Sequence, residues 1–225
     1  MRGSMQLRSW RLCAIIMLAL AMLSCSVPAR AAETGGLSVL RKFPAAVTAV
    51  GVGSVDGGPL TVVATRGAGI YATSAGGATF RKLSPALDVM NITSIAVLGR
   101  DQWLVGTDGD GLWKTADAGS SFTFVTTLDC SRIARIVPDP AGSGRIFVAS
   151  LCTGLHYSVD GGATWTSAGN GIVSKQVTDV VRLDANRIVV ATTTDGVFAG
   201  AGVFISTNNG KSYMKMACPV MQVDA

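Results

Sequence analysis

One histidine and one glutamate occur among 225 residues, and those two scarcities exclude more than most motifs could add. A lone imidazole, His156, leaves too few ligands for a zinc site that uses two or three histidines, and its place in the chain, held elsewhere by Tyr71, Trp113 and Phe204, points to packing rather than to a general base. The single glutamate, Glu33, lies near the N-terminus, ahead of every repeated segment of the chain. Charged residues make up 15% of the chain, and four of its arginines (Arg2, Arg8, Arg11 and Arg30) stand in the first 31 residues. The remainder of the chain is close to neutral, so nucleic acid is not an indicated partner. Long apolar runs are also missing. The longest, Cys13 to Leu23, is eleven residues, well short of the roughly 20 that a helix needs to span a bilayer.

What is present at the N-terminus is a secretory layout: a basic start, that short apolar run, then small residues. Residues 1–31 therefore read as a signal peptide and residues 32–225 as the exported domain. Two processing sites compete. Ala29-Arg30-Ala31 offers a small-x-small cleavage site before Ala32, whereas Met22-Leu23-Ser24-Cys25 offers a lipobox whose Cys25 would carry a lipid anchor. Either one exports the domain to the periplasm or the extracellular space.

The exported part is a repeat. "TSAGGATF" (Thr73 to Phe80), "TADAGSSF" (Thr115 to Phe122), "SVDGGATW" (Ser158 to Trp165) and "STNNGKSY" (Ser206 to Tyr213) share one shape. Their third positions are Ala75, Asp117, Asp160 and Asn208, spaced by 42, 43 and 48 residues. Each octet follows a Gly, an aliphatic residue and an aromatic or His, as in Gly111-Leu112-Trp113 and Gly154-Leu155-His156. Further upstream lie β-branched runs such as "LTVVAT", "QWLVGT", "RIFVAS" and "RIVVAT", each preceded by another short run. A period near 43 residues with four short strands per unit predicts an all-β propeller of four-stranded antiparallel blades. The blades run over about 43–86, 87–128, 129–171 and 172–218.

The octets resemble the Asp-box, or BNR repeat, S-x-D-x-G-x-T-W, of propellers in sialidases, xyloglucanases, sortilin-type receptors and photosystem II assembly factors. Asp160 fits the pattern fully and Asp117 with a weaker end, while Ala75 and Asn208 depart from it. The resemblance implies that Asp117, Asp160 and Asn208 organise turns and that Phe80, Phe122, Trp165 and Tyr213 pack. A short carboxylate can accept bonds from the N–H groups of its own turn, and paired glycines supply conformations that other residues resist. The aromatic is expected to fold back over its own hairpin.

Residues 37–42 read as a last strand with no partners before it, and residues 221–225 as an opening strand with none after it. The reading is four full blades between two parts of a fifth, a truncated ring. A small closed ring with ragged ends is the alternative. Cys130 precedes the first strand of the third blade and Cys152 follows its second, so antiparallel strands bring both to one edge. A Cys130–Cys152 disulfide is expected in an oxidising compartment, and Cys218 is left without a partner.

Propeller ligands bind where the second-to-third-strand loops and the blade-to-blade connections meet. Those segments carry Arg66, Asp108, Asp110, Asp129, Arg132, Lys175, Asp195 and Phe198. The sialidase resemblance implies a tyrosine nucleophile assisted by a glutamate, but Glu33 lies outside the blades, Tyr71, Tyr157 and Tyr213 fall on or beside the repeat motif, and an R-I-P signature is missing. A xyloglucanase-like reaction would need two carboxylates, for which Asp108, Asp110 and Asp195 are the weak candidates, though "TDGDG" (Thr107 to Gly111) also suits a plain tight turn. The expectation is a non-catalytic binding or assembly module for a protein or carbohydrate ligand, with no cofactor and no metal. A fragment of a glycoside hydrolase is the alternative.

Overall fold

Among the described residues sixteen short strands form four sheets, and each sheet is built from consecutive strands. A computed structural model describes residues 42–55, 58–74, 79–139, 144–194 and 200–217. The signal-peptide and fifth-blade segments (1–31, 221–225 and all of 37–42 but Lys42), with Cys25, Ala75, Asp195, Phe198 and Cys218, lie outside the described residues.

The first sheet holds β1 (Val47–Val55), β2 (Gly58–Thr65), β3 (Gly69–Thr73) and β4 (Arg81–Lys82). β5 (Ile92–Val97), β6 (Trp103–Thr107), β7 (Leu112–Thr115) and β8 (Thr123–Phe124) make the second. The third contains β9 (Ile133–Pro138), β10 (Ile146–Ser150), β11 (Leu155–Ser158) and β12 (Thr166–Ser167), and the fourth β13 (Val177–Arg182), β14 (Ile188–Thr192), β15 (Gly202–Ser206) and β16 (Met214–Lys215). Every pairing is antiparallel and joins neighbours in the chain. The one helical element described is a single 3-10 turn at Pro85–Leu87, capped by Ser84.

Sheets stack face to face through their first strands: β1 on β5, β5 on β9, and β9 on β13. Three apolar cores fill the gaps. Leu60, Val62, Ile70, Ile92, Ile95 and Trp103 fill the first, Ala96, Leu104, Ile133, Ile136 and Val148 the second, and Phe147, Ala149, Val177, Val180 and Val190 the third. Strands buried on both faces explain why the second-strand runs lack polar alternation. Where β1 meets β5 there is no room for side chains. A Cβ on Gly51 or Gly53 would stand 2.8 or 2.4 Å from Ile95 or Val97.

The octets form the third-to-fourth-strand turns, and their aromatic residues reach back past their own turns: a Cβ on Gly162 would stand 3.4 Å from the Trp165 ring and one on Gly210 3.1 Å from the Tyr213 hydroxyl. Phe122, Trp165 and Tyr213 enter the core shared with the preceding sheet. More apolar area leaves water in that gap than on a two-residue outer strand.

Candidate functional site

Two edges of the sheets carry the polar residues of interest. At the octet edge, Asp117 accepts bonds from Ser121 N–H at 2.8 Å, the Ser121 hydroxyl at 2.6 Å and the Thr115 hydroxyl at 2.7 Å. Asp160 accepts from Ala163 N–H at 3.0 Å, Thr164 N–H at 2.9 Å, and the hydroxyls of Ser158 and Thr164. Asn208 reproduces the arrangement, because its side-chain carbonyl accepts from Ser212 N–H at 3.0 Å and from the Ser206 hydroxyl at 2.9 Å. The Ser121 hydroxyl and N–H, then the Thr115 hydroxyl, hold Asp117 down at about 2. The Thr164 hydroxyl and N–H, followed by the Ser158 hydroxyl, lower Asp160 as well. A carboxylate stabilised in its charged form by its own turn is a poor proton donor.

The paired glycines of the motif are not equivalent. At the first position Gly161, Ala118 and Asn209 all take φ between 55° and 69°, so a side chain is accepted there. The second position is Gly119, Gly162 or Gly210, with φ of 80°, 86° and 79°. A Cβ on Gly119 would stand 2.6 Å from Leu83 and 2.8 Å from Trp103, both in the core with the preceding sheet. Connections between sheets also bond to the next octet: Ser84 N–H to Gly119 O, the Thr127 hydroxyl to Ala163 O, and Tyr213 N–H to Asn170 O. The octet thus joins its sheet to the one before it.

Between the third and fourth sheets this edge also buries charge. The Arg182 guanidinium lies 2.9 Å from Asp139, with side-chain exposures of 4% and 0%. Arg182 donates to Asn209 Oδ1 and to Ala185 O, and Arg145 donates to Asn209 O. Arg145 also lies 4.6 Å above the Tyr157 ring. Burial pushes the nearby Tyr213 hydroxyl well above its ordinary value.

The opposite edge, made of loops, carries the residues expected to face a ligand. The structure brings them together in pairs, without one common pocket. Asp108 accepts from Arg132 Nε at 2.8 Å, a half-exposed ion pair between a second-sheet loop and the connection to the third. Asp110 and Asp129 line one open groove of about 320 Å³, together with Phe124, Leu128 and Ser131. Phe124 is 47% exposed there, and its ring meets Trp113 edge-on at 5.5 Å. Trp113 Nε1 donates to Asp110 O at 2.8 Å, so the aromatic pair fixes the loop that carries the carboxylate. Arg66 bridges to Asn91 on the first connection, and Lys175 stands exposed on the third. Lys175 adds to the effect of burial in lowering the pKa of His156, whose Nε2 lies 2.9 Å from the Thr153 hydroxyl.

This edge is stapled by the Cys130–Cys152 disulfide, whose Cα atoms lie 5.6 Å apart. A buried hydroxyl recurs where the second strands end. Thr65, Thr107 and Ser150 donate to Gly69, Gly111 and Gly154 O at 2.8, 2.8 and 2.9 Å. Those hydroxyls and Phe124 carried no assignment from the sequence, although the Thr or Ser ending each "VVAT"-type run was the available signal. Among the described residues no group of three or more His, Cys, Asp or Glu is placed to hold a metal. No helix among them is long and apolar enough to cross a membrane.

No protein-family model matches the chain, and no curated protein matches it. Solved structures do. A GH74 enzyme from Niastella koreensis aligns with a TM-score of 0.56 at 21% identity, over 69% of this chain and 27% of that one. The GH74 xyloglucanase from Xanthomonas campestris gives 0.50 at 22% identity, over 76% and 24%. A computationally designed protein, Ika4, gives 0.55 at 11% identity, over 77% of this chain and 98% of that one. The chain spans about a quarter of the length of the GH74 structures it matches. At these identities the likeness is one of fold: the chain is an all-β protein of four-stranded propeller-type sheets, similar to these proteins in architecture.

Proposed function

We propose that the chain is an exported, non-catalytic propeller module that binds a carbohydrate or protein ligand along its loop edge, and that its octets are Asp-boxes serving architecture. The groove that sets Asp110 and Asp129 beside the exposed Phe124 ring carries this reading. An open apolar ring flanked by hydrogen-bond acceptors suits a sugar face or a peptide side chain. The disulfide supports passage through an oxidising compartment. Arg66, Arg132 and Lys175 would add cationic contacts at the rim.

A second reading, a piece of a glycoside hydrolase, draws on the same two carboxylates, since such enzymes set an acid and a base across a cleft. Incubation of the exported domain with xyloglucan decides between the readings. Retention of the polysaccharide that Phe124→Ala abolishes, with no release of reducing ends, is the expected result. Release of reducing ends that Asp110→Asn or Asp129→Asn stops would establish the hydrolase instead.

A further inference from the structure

The stack of four sheets has two outer faces, and both keep residues of the kind that fill its three inner gaps. Alignment of the first strands makes this plain. Val47 corresponds to Ile92, Ile133 and Val177, which are 0%, 1% and 0% exposed against the preceding sheet, yet Val47 is 47% exposed. Val50 corresponds to Ile95, Ile136 and Val180, at 7%, 4% and 1%, and is 55% exposed. Val52, the counterpart of Val97 in the first core, is 70% exposed. Phe43 packs against Tyr71 and Phe80 on the outer part of the sheet, leaving this valine row open.

The fourth sheet shows the complementary face. Val181 pairs with Val189, Ile205 and Met214 in one row across all four strands. The same row of the third sheet, Val137, Phe147 and Tyr157, packs on the fourth sheet. Here Val181, Leu183 and Met214 are 47%, 43% and 66% exposed, while between them Ile205 is half-buried and Val189 is 7% exposed. Among the described residues no packing comparable to that between successive sheets joins the fourth sheet to the first. The chain therefore carries both halves of an interface it already makes three times, one half at each end of the stack.

We propose that a second copy of this chain docks head to tail on these faces, the fourth-sheet face of each copy on the first-sheet face of the other, closing one ring. Continuity with the three internal interfaces favours this occupant, because a second copy brings both matching halves and an unrelated partner would have to reproduce a sheet face of the same kind. The described sheets of two copies number eight, within the roughly four to eight blades of closed propellers. A head-to-tail contact made twice about a two-fold axis leaves no free end, which distinguishes it from a filament.

Sedimentation velocity of the mature protein tests the proposal. The expected result is a dimer that either Val50→Asp or Val181→Asp converts to monomer while the circular dichroism spectrum is kept, since both side chains are already half exposed. Mixing the two variants should restore a dimer, because one of the two interfaces then contains neither substitution. A wild-type monomer throughout the micromolar range overturns the proposal, as it would if other segments of the chain covered these faces. So does a dimer that Val181→Asp breaks and Val50→Asp does not, or a mixture of variants that stays monomeric. Sugar or peptide binding at the Asp110 groove is measured separately, so failure of either idea leaves the other standing.

Discussion

The octet edge and the loop edge both carry aspartates in Gly-rich turns, yet the two edges use them in opposite ways. At the octet edge Asp117 and Asp160 each take at least three bonds from their own turns, and Asp139 is buried against Arg182. At the loop edge Asp110 and Asp129 open on a groove, and Asp108 meets Arg132 half in solvent. The difference teaches that an acidic residue at the octet edge is taken up by the fold, by its own turn for Asp117 and Asp160 and by the neighbouring sheet for Asp139. Where loops stand clear of the cores, it is left for solvent or a ligand.

The sharpest way to break this comparison is at the buried ion pair. Asp139→Ala leaves Arg182 charged and buried, and should cost about 3–5 kcal/mol, read from the midpoint of denaturant unfolding. A loss within experimental error would mean that the ion pair does not lock the octet edge. Next comes the covalent staple of the loop edge. Replacing Cys130 and Cys152 together by Ser should lower stability by about 2–4 kcal/mol, since the bond closes 22 residues of chain. The sheets should survive, with the change visible first as faster hydrogen exchange in the Gly109–Ser131 segment.

Acid sharpens the contrast further. Asp117 and Asp160 sit below their ordinary value of 3.8, so the stability they supply is complete above that pH. It is lost as pH falls through the folded values, for Asp117 near 2. Thermal melts of wild type should decline over that window, and Asp117→Asn/Asp160→Asn should start lower at neutral pH and decline less. The smallest effect is expected at the loop edge, where Arg132→Ala should change stability by less than about 1 kcal/mol. A larger loss would show that the loop edge serves architecture as much as the octet edge does.

The four-sheet plan was legible from the octet spacing, because a fixed period of β-branched runs and Gly-rich turns leaves few other folds. Asn208 could be placed with the aspartates, since an amide carbonyl accepts the same N–H. The unequal glycines were not legible: Ala118 and Asn209 hold positive φ, while Gly119 is excluded from carrying a Cβ by Leu83 and Trp103 of the neighbouring core. Nor could the sequence show that Asp110 and Asp129 share a groove with Phe124 while Asp108 pairs with Arg132. Those residues sit on different loops, and their distances depend on how the chain passes from one sheet to the next.

The sequence by itself determined the repeat, its strands and the residues able to make each turn, because these follow from local spacing, side-chain branching and hydrogen-bonding chemistry within a few residues. Only the tertiary structure decided which face of each strand meets a neighbour and which valines are left in water. Val50 and Ile95 occupy the same place in the repeat and are chemically alike. Ile95 is buried and Val50 exposed solely because a sheet stands before the second sheet and none of the described sheets stands before the first.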